Sequence, residues 1–570
     1  MHRLIQTNRV ASVATLAAVL ALTAACGSSS SGNGSSKPTA PPATKGSANV
    51  LNSYQNAGDA DWVKTLDPAL VTDSVSIYDI NMVNANLVKT DYPSLQPKAD
   101  LASSWTASPD HKTYTFHLRM NAKFSNGDPV TAQDAAWSIT RSLLPATKSP
   151  VATTYLGQIV GALDVANKKA TTVSGVKALD AHTLQIKLLQ PVAYFLGALS
   201  YPTADVLDKK AMQGKAPGAY LTNTCSGNVG AGPFKFVCVN SGSGRNSFYQ
   251  SGHSATMKFA PNPYYYGAKP KVTVNAPMIA DTETNWRLYQ AGGVVDTGVP
   301  TADLASAKGQ PGFTETPLLS TDYITPNQKT TPFNNINCRL AVAYAIDRVN
   351  ITTKLLQGTE APSFDVLPKG LPNGGQGFFA DHNGVPYYDP TKAKQYLNNC
   401  PGKLQNVNLT FQQTSQDIVH EYDAVRANLQ AIGANITLQP KTFNAWLTIV
   451  GQTMQATHTA ITENLWIDDY PDSQDWLENL LVTGANYDIG GFSNAQYDAL
   501  VKQSNTTFDN AKRASLNVQA QKIALNNGAW IMIGYQVQPY IINPKVHGLI
   551  PTPSQIQPLH NDWSLVTVSK

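Results

Sequence analysis

Apolar and polar positions along the chain fall into two periods. "KTYTFHLRM" alternates, with Tyr114, Phe116 and Leu118 on one face and Thr115, His117 and Arg119 on the other; "HTLQIKL" repeats this through Leu184, Ile186 and Leu188. Successive strand side chains point to opposite faces, so both stretches predict half-buried strands. Between them, "VTAQDAAWSITRSLLP" sets Thr131 and Asp134 at capping-box spacing and stops at Pro145, which predicts a helix of roughly three turns. In the second half, Val407, Leu409 and Phe411 alternate, and Ile418, Tyr422, Val425, Leu429 and Ile432 then recur at helical spacing up to Gly433, with "NITL" following. Strand, helix and strand in that order predict a βαβ unit with Gly433 as the helix stop. Asp389 and Pro390 are placed as N-cap and first residue of another helix. These patterns predict a mixed α/β protein in more than one lobe.

The first residues change the picture by suggesting a compartment. Arg3 and Arg9 lead into Val10 to Ala25, a mostly small or apolar run ending in "LTAAC". That run is too short for a spanning helix, and its basic start and small-residue end predict a secretory signal over residues 1–25. Cys26 resembles a bacterial lipobox cysteine, which implies cleavage before it and lipid on its sulfur, although Thr23 stands where Leu is usual. Residues 26–49 are Gly/Ser-rich and then Pro-rich, the composition of a flexible tether.

The remaining chain, about 520 residues, is long enough for two or three packed lobes and has no later apolar run that could span a bilayer. The net charge of the full chain, +4, falls to about +2 without Arg3 and Arg9, which gives no argument for a nucleic-acid partner. Beyond Cys26 stand Cys225, Cys238, Cys338 and Cys400, an even number that favours disulfides outside the cytoplasm. The expected pairs are Cys225 with Cys238 and Cys338 with Cys400, each within one lobe; no C-x-x-C or nearby histidine supports a metal site.

Signatures of catalysis are missing. The chain has no G-x-S-x-G, no P-loop and no H-E-x-x-H, and "GAGPFK" reads as a turn before a strand, not as a dinucleotide loop. A secreted hydrolase using paired carboxylates stands only as a distant alternative. His111 and His117, six positions apart around a strand, are read as solvated or satisfied. We expect no enzyme activity, no cofactor and no metal.

Taken in order, "TLDPAL" (65–70), "ADLASSWTASPDHKTYTFHLRMNAKFSNGDPVTAQDAAWSI" (99–139), "GAGPFKF" (230–236), "NPYYYG" (262–267), "CRLAVAYAIDR" (338–348), "YDPTKAKQYL" (388–397), "WIDDYPD" (466–472) and "NAQYDALV" (494–501) resemble the family 5 extracellular solute-binding proteins, the peptide-binding components of ABC importers. The chain departs from that pattern at Arg339 to Val342, in "YITPNQKTTPFNN" and in its cysteines. The resemblance implies a two-lobe periplasmic-binding-protein-like fold of type II, with an extra subdomain on the first lobe and the ligand cleft between lobes. The expected division is 50–87, 229–322 and 534–570 for lobe I, 88–228 for its subdomain and 323–533 for lobe II, with crossings near 321–328 and 533–535. It also implies short peptides as ligand, an ABC permease as partner, a lipid-anchored extracytoplasmic location and a monomer. Oligosaccharides, metal complexes or a peptide-signal receptor role remain as alternatives on the same fold.

Within "NLWIDDYPDSQDW", four aspartates and a tyrosine lie between two tryptophans. The resemblance places Asp469 against the ligand's terminal ammonium, with Trp466 and Tyr470 beside it. A peptide amine must be desolvated in a closed cleft, and a charged partner then contributes about 1.5–3 kcal/mol. Asp468, Asp472 and Asp475 are read as a cap, a turn and a solvated helix start, and Trp476 as core. Thr325, Asn327 and Gln328 are further candidate ligand contacts. No glycine stands where a calcium loop would need one.

Overall fold

A computed structural model describes residues 50–569 apart from 54–64, 93, 214–228, 238, 241–245, 248–255, 280, 375–383, 453, 455 and 555–561. Cys26, Cys225 and Cys238, with the expected signal (1–25) and tether (26–49), lie outside the described residues.

The alternating stretches form strands. Thr113–Leu118 buries Tyr114, Phe116 and Leu118 and turns His117 to solvent. It lies between Ala102–Ala107 and Thr183–Lys187 in an antiparallel sheet completed by Val176–Ala178. Over it, the helix Ala132–Leu143 starts in the expected capping box: the Thr131 hydroxyl accepts from the Asp134 N–H, and the Asp134 carboxylate accepts from the Thr131 N–H. Arg141 of this helix is buried and makes two hydrogen bonds, at 2.5 and 3.0 Å, to the buried Asp67. A second sheet orders Val50–Asn52, Thr273–Pro277, Thr256–Pro261 and Phe234–Phe236, the first pair parallel and the rest antiparallel. The "GAGPF" turn feeds the last of these. A β-carbon on Gly230 would lie 1.9 Å from the Val83 carbonyl oxygen, so only glycine fits that approach.

The second half holds the expected βαβ unit. Val407–Gln412 and Ile436–Lys441 pair in parallel through the whole of both strands, and the Gln416–Ile432 helix between them stops at Gly433 with φ 102°. Tyr422, Val425, Leu429 and Ile432 pack with Leu409 and Phe411 in one core. A disulfide joins Cys338 of the Ile336–Ala345 helix to Cys400, just beyond the Pro390–Asn398 helix that Asp389 caps.

Ile531–Ile542 is the spine of the largest sheet, which runs Asp296–Gly298, Ile531–Ile542, Ser320–Pro326, Ile461–Ile467, Val407–Gln412 and Ile436–Lys441. Its first half pairs with Ser320–Pro326 and Glu360–Pro362, its second with Asp296–Gly298 and Phe313–Pro317. Ile531 and Ile533 enter the core of the βαβ unit, whereas Tyr540 and Ile542 enter the core of the N-terminal sheets. Between the buried ends, residues 535–538 are only half-buried. A single strand thus carries the chain from one core to the other. The 320–326 strand beside it is buried at every position although its sequence departs from the family pattern, because neighbours cover it on both sides.

Candidate functional site

"WIDDYPD" is a strand-to-helix connection. Ile461–Ile467 runs antiparallel to Ser320–Pro326, and at its end the Asp468 N–H donates to the Leu319 carbonyl at 3.0 Å. After the turn, Asp472 caps the Ser473–Leu481 helix, its carboxylate accepting from the Gln474 N–H at 2.9 Å. The same carboxylate receives both terminal nitrogens of the buried Arg513 at 2.7 and 2.8 Å. Two of its neighbours correct the sequence reading. Asp472, not Asp468, is the cap, and Asp468 and Asp475 are fully buried, so Asp475 is no solvated helix start. Asp475 faces inward because it organises the turn: it accepts from the Asp469 N–H at 2.8 Å, from Trp466 Nε1 at 3.3 Å and from Asn479 Nδ2 at 3.3 Å. Burial, and then the Asp469 charge, hold its carboxyl well above the usual range.

Asp469 itself is half-buried. The hydroxyl of Tyr155, from the Ala152–Leu156 helix, donates to its Oδ2. Burial pushes the Asp469 carboxyl up to about 7, with the Tyr155 hydroxyl opposing the shift. Beside it lies a cavity of about 60 Å³ walled also by Asn84, Lys89, Asp100, Asp205 and Tyr266. Lys89 approaches Asp100 at 3.6 Å, Tyr266 donates to Asp100 at 2.6 Å, and Asn84 donates to Asp205 at 2.9 Å. Three carboxylates against one ammonium make the wall rich in acceptors, an environment that suits a cation or a hydrogen-bond donor. The space is small, so a peptide-sized guest requires these walls to move.

Tyr470 is buried, and its hydroxyl donates to Gln474 Oε1 of the Ser473–Leu481 helix. It stacks on Tyr194 with ring centres 6.5 Å apart and meets Tyr155 edge-on at 6.0 Å. A β-carbon on Gly197 would come 2.9 Å from its ring, so that glycine makes room for the wedge. Further contacts join the first half of the chain to the second. Asn486 donates to Thr154 at 3.0 Å, the Ala193 N–H to the Asn505 carbonyl at 2.9 Å, and Thr301 to Asp417 at 2.6 Å. His111 stacks on Phe508 with centres 3.9 Å apart.

Of the sequence candidates, the structure brings Asp469, Trp466 and Tyr470 together. Trp466 is half-buried and tilted against Tyr487 at 5.3 Å, whereas Trp476 is core and donates to Thr321 at 3.1 Å. Thr325, Asn327 and Gln328 lie at the opposite end of the 320–326 strand. Thr325 accepts from Asn464 at 2.9 Å, Asn327 donates to the Thr459 carbonyl at 3.0 Å, and the Gln328 N–H donates to the Gly490 carbonyl at 2.9 Å. Tyr155, Tyr194 and Gly197 were not found from sequence. Nothing local marks them, since their roles come from a partner more than 270 positions away.

The chain is similar to several known proteins. The dipeptide-binding protein of Lactococcus lactis subsp. cremoris is 30% identical over 514 residues, 85% of this chain and 90% of the relative. The dipeptide-binding protein DppE of Bacillus subtilis is 26% identical over 499 residues, 86% of this chain and 88% of its own. Among solved structures, the substrate-binding domain of an oligopeptide ABC transporter from Bacillus anthracis superposes with a TM-score of 0.77 at 24% identity, covering 91% of this chain and 99% of that one. The fold is therefore the two-lobe periplasmic-binding-protein fold. A family model described as "Bacterial extracellular solute-binding proteins, family 5 Middle" matches residues 96–488. On that match, and with the lobes, the crossing strand and the "WIDDYPD" turn in place, this chain belongs to the family 5 bacterial extracellular solute-binding proteins.

Proposed function

We propose that the chain captures short peptides between its lobes and hands them to the permease of an ABC importer, with Asp469 receiving the peptide's terminal ammonium. The observation that carries this reading is the state of Asp469: a half-buried carboxylate, raised by burial to about 7, whose side chain meets a tyrosine hydroxyl at the seam between two cores. A desolvated anion with a neutral partner gains more from a cation than a solvated one does. The peptide ammonium replaces the Tyr155 hydroxyl, Trp466 walls the site, and the Tyr470 wedge closes it. Relatives named for dipeptide binding support the cargo class.

In this reading, residues 50–322 with the return 534–570 form lobe I, including the subdomain 88–228, and 323–533 form lobe II. The pairing of Asp322 with Gly534 is the pivot. Thr325, Asn327 and Gln328, one strand length from Asp469, meet only ligands of about six extended residues or more. Cleavage before Cys26 and lipidation of its sulfur tether the monomer to the outer face of the membrane through residues 26–49. The protein performs no chemistry on its ligand.

Mass spectrometry of small molecules released by unfolding a soluble form that begins after Cys26 tests the cargo. A ladder of short peptides is expected; sugars or another solute in their place would overturn the amine-binding role of Asp469. Titration with one peptide, free and N-acetylated, tests the contact itself. The acetylated form binds more weakly if Asp469 reads the amine.

A further inference from the structure

A second group of carboxylates lies at the pivot and has no part in the proposed peptide site. Asp322 comes from the 320–326 strand, Glu360 from the 360–362 strand and Glu421 from the 416–432 helix. One oxygen from each lies within 4.8 Å of the others, and all three side chains are over nine-tenths buried. Glu463 stands beside them, also buried, held by the Gln412 N–H at 3.0 Å and the Gln412 side-chain amide at 2.9 Å.

These acids lack counter-charges. Among the described residues no ion pair involves any of the four. Asp322 Oδ1, Glu360 Oε1 and Glu421 Oε1 are buried without a hydrogen-bond partner. So is the hydroxyl of Tyr422, fully buried and close enough to feel the charge of all four carboxylates. Gly534 keeps the space open: a β-carbon there would fall 2.5 Å from Glu360 Oε1. Several carboxylates gathered in a buried site repel one another and leave acceptors unsatisfied unless a positive species sits among them.

We propose that Asp322, Glu360 and Glu421 bind a hard divalent cation of the calcium, magnesium or manganese class at the junction between the lobes. Three carboxylate oxygens are the donor set such ions prefer, with water completing the shell. An oxygen spread of up to 4.8 Å matches ligands on opposite sides of an ion with bonds of about 2.0–2.4 Å. Glu463, engaged by Gln412, adds negative charge from outside the shell. The ion ties the 320–326 strand, the 360–362 strand and the 416–432 helix together where the 531–542 strand leaves for the other core. This site is independent of the cargo.

The test uses the folded chain from after Cys26, stripped with chelator and titrated separately with calcium, magnesium and manganese by calorimetry. One saturable cation per chain is expected, with a higher Tm that chelator reverses. Glu421→Gln weakens binding by about 10- to 100-fold or more, whereas Asp469→Asn leaves it unchanged. Should Glu421→Gln fail to fold, terbium luminescence in the wild type and in Tyr422→Phe locates the ion, since the adjacent phenol sensitises it and its loss lowers the signal. Absence of saturable binding by all three cations would mean that the cluster holds protons, and overturns the proposal. So would binding that survives Glu421→Gln but is lost in Asp469→Asn, or terbium emission unchanged in Tyr422→Phe.

Discussion

Two acidic clusters border the same antiparallel pair of strands, 320–326 and 461–467, and they are built in opposite ways. In and just after the "WIDDYPD" turn, three of the four carboxylates have donors: Asp472 has Arg513, Asp475 has two side-chain N–H groups and a backbone N–H, and Asp469 has Tyr155, while the buried Asp468 is the exception. At the pivot, three buried acids each present an oxygen that nothing meets. The first cluster is contiguous in sequence and shapes a turn with its own hydrogen bonds. The second is assembled from separate elements and contributes nothing to local folding. Carboxylates with donors are explained by the protein that surrounds them, whereas several gathered in one buried place without counter-charge point to something that the protein takes up.

The sharpest way to break this comparison is to remove a donor. Arg513→Met leaves Asp472 buried and unpaired, and should destabilise the chain by about 3–5 kcal/mol, read as a lower urea midpoint. A loss below about 1 kcal/mol would show that the turn does not depend on its ion pair. Next in size, Asp469→Asn should weaken a free-amine peptide by about 1.5–3 kcal/mol in calorimetry and leave the urea midpoint nearly unchanged. Equal affinity for both proteins would remove the amine contact.

The pH dependence sharpens the same point. Because burial raises Asp469 from 3.8 to about 7, the folded state holds its proton more tightly than the unfolded state does. Its contribution to stability is complete below the unfolded value and is lost as pH rises through about 7. Thermal scans of ligand-free protein across that window should show a decline that Asp469→Asn reduces in part, because Glu463 and Asp488, also raised to about 7 by burial, titrate there too. Peptide affinity should run the other way, rising as Asp469 ionises near 7 and falling once the peptide amine deprotonates near about 8. An affinity flat across that range would contradict the charge pairing. The smallest effect is expected from Tyr155→Phe, about 0.5–1.5 kcal/mol or less on ligand affinity. Without the hydroxyl that lowers it, the Asp469 midpoint should move to higher pH.

How much of this was legible in the sequence follows from how local each signal is. The capping box at Thr131 and Asp134, the stop at Gly433 and the alternation of Tyr114, Phe116 and Leu118 each depend on neighbours a few positions away, and each is present as read. The Cys338–Cys400 bond also followed from expecting both cysteines in one lobe. Asp475 misled because a carboxylate in the first turn of a helix ordinarily faces water and the helix dipole. Here it turns inward to receive three donors, two of them from the preceding turn. The pivot cluster has no sequence signature: Asp322, Glu360, Glu421 and Glu463 meet only because the sheet order brings their elements together.

The crossing strand also has a consequence for the order of assembly. Asp296 and Tyr540, hydrogen-bonded at 2.5 Å, are 244 positions apart, and the strands Asp296–Gly298 and Phe313–Pro317 both find their partner in Ile531–Ile542. The βαβ unit can form from contacts within its own stretch, but the sheet edge made by residues 296–317 stays unpaired until the last part of the chain arrives. Pairing over such separations carries a large loop-closure entropy and is slow. Late completion leaves that edge open while the chain is being made, a template for wrong pairing until residues 531–542 close it.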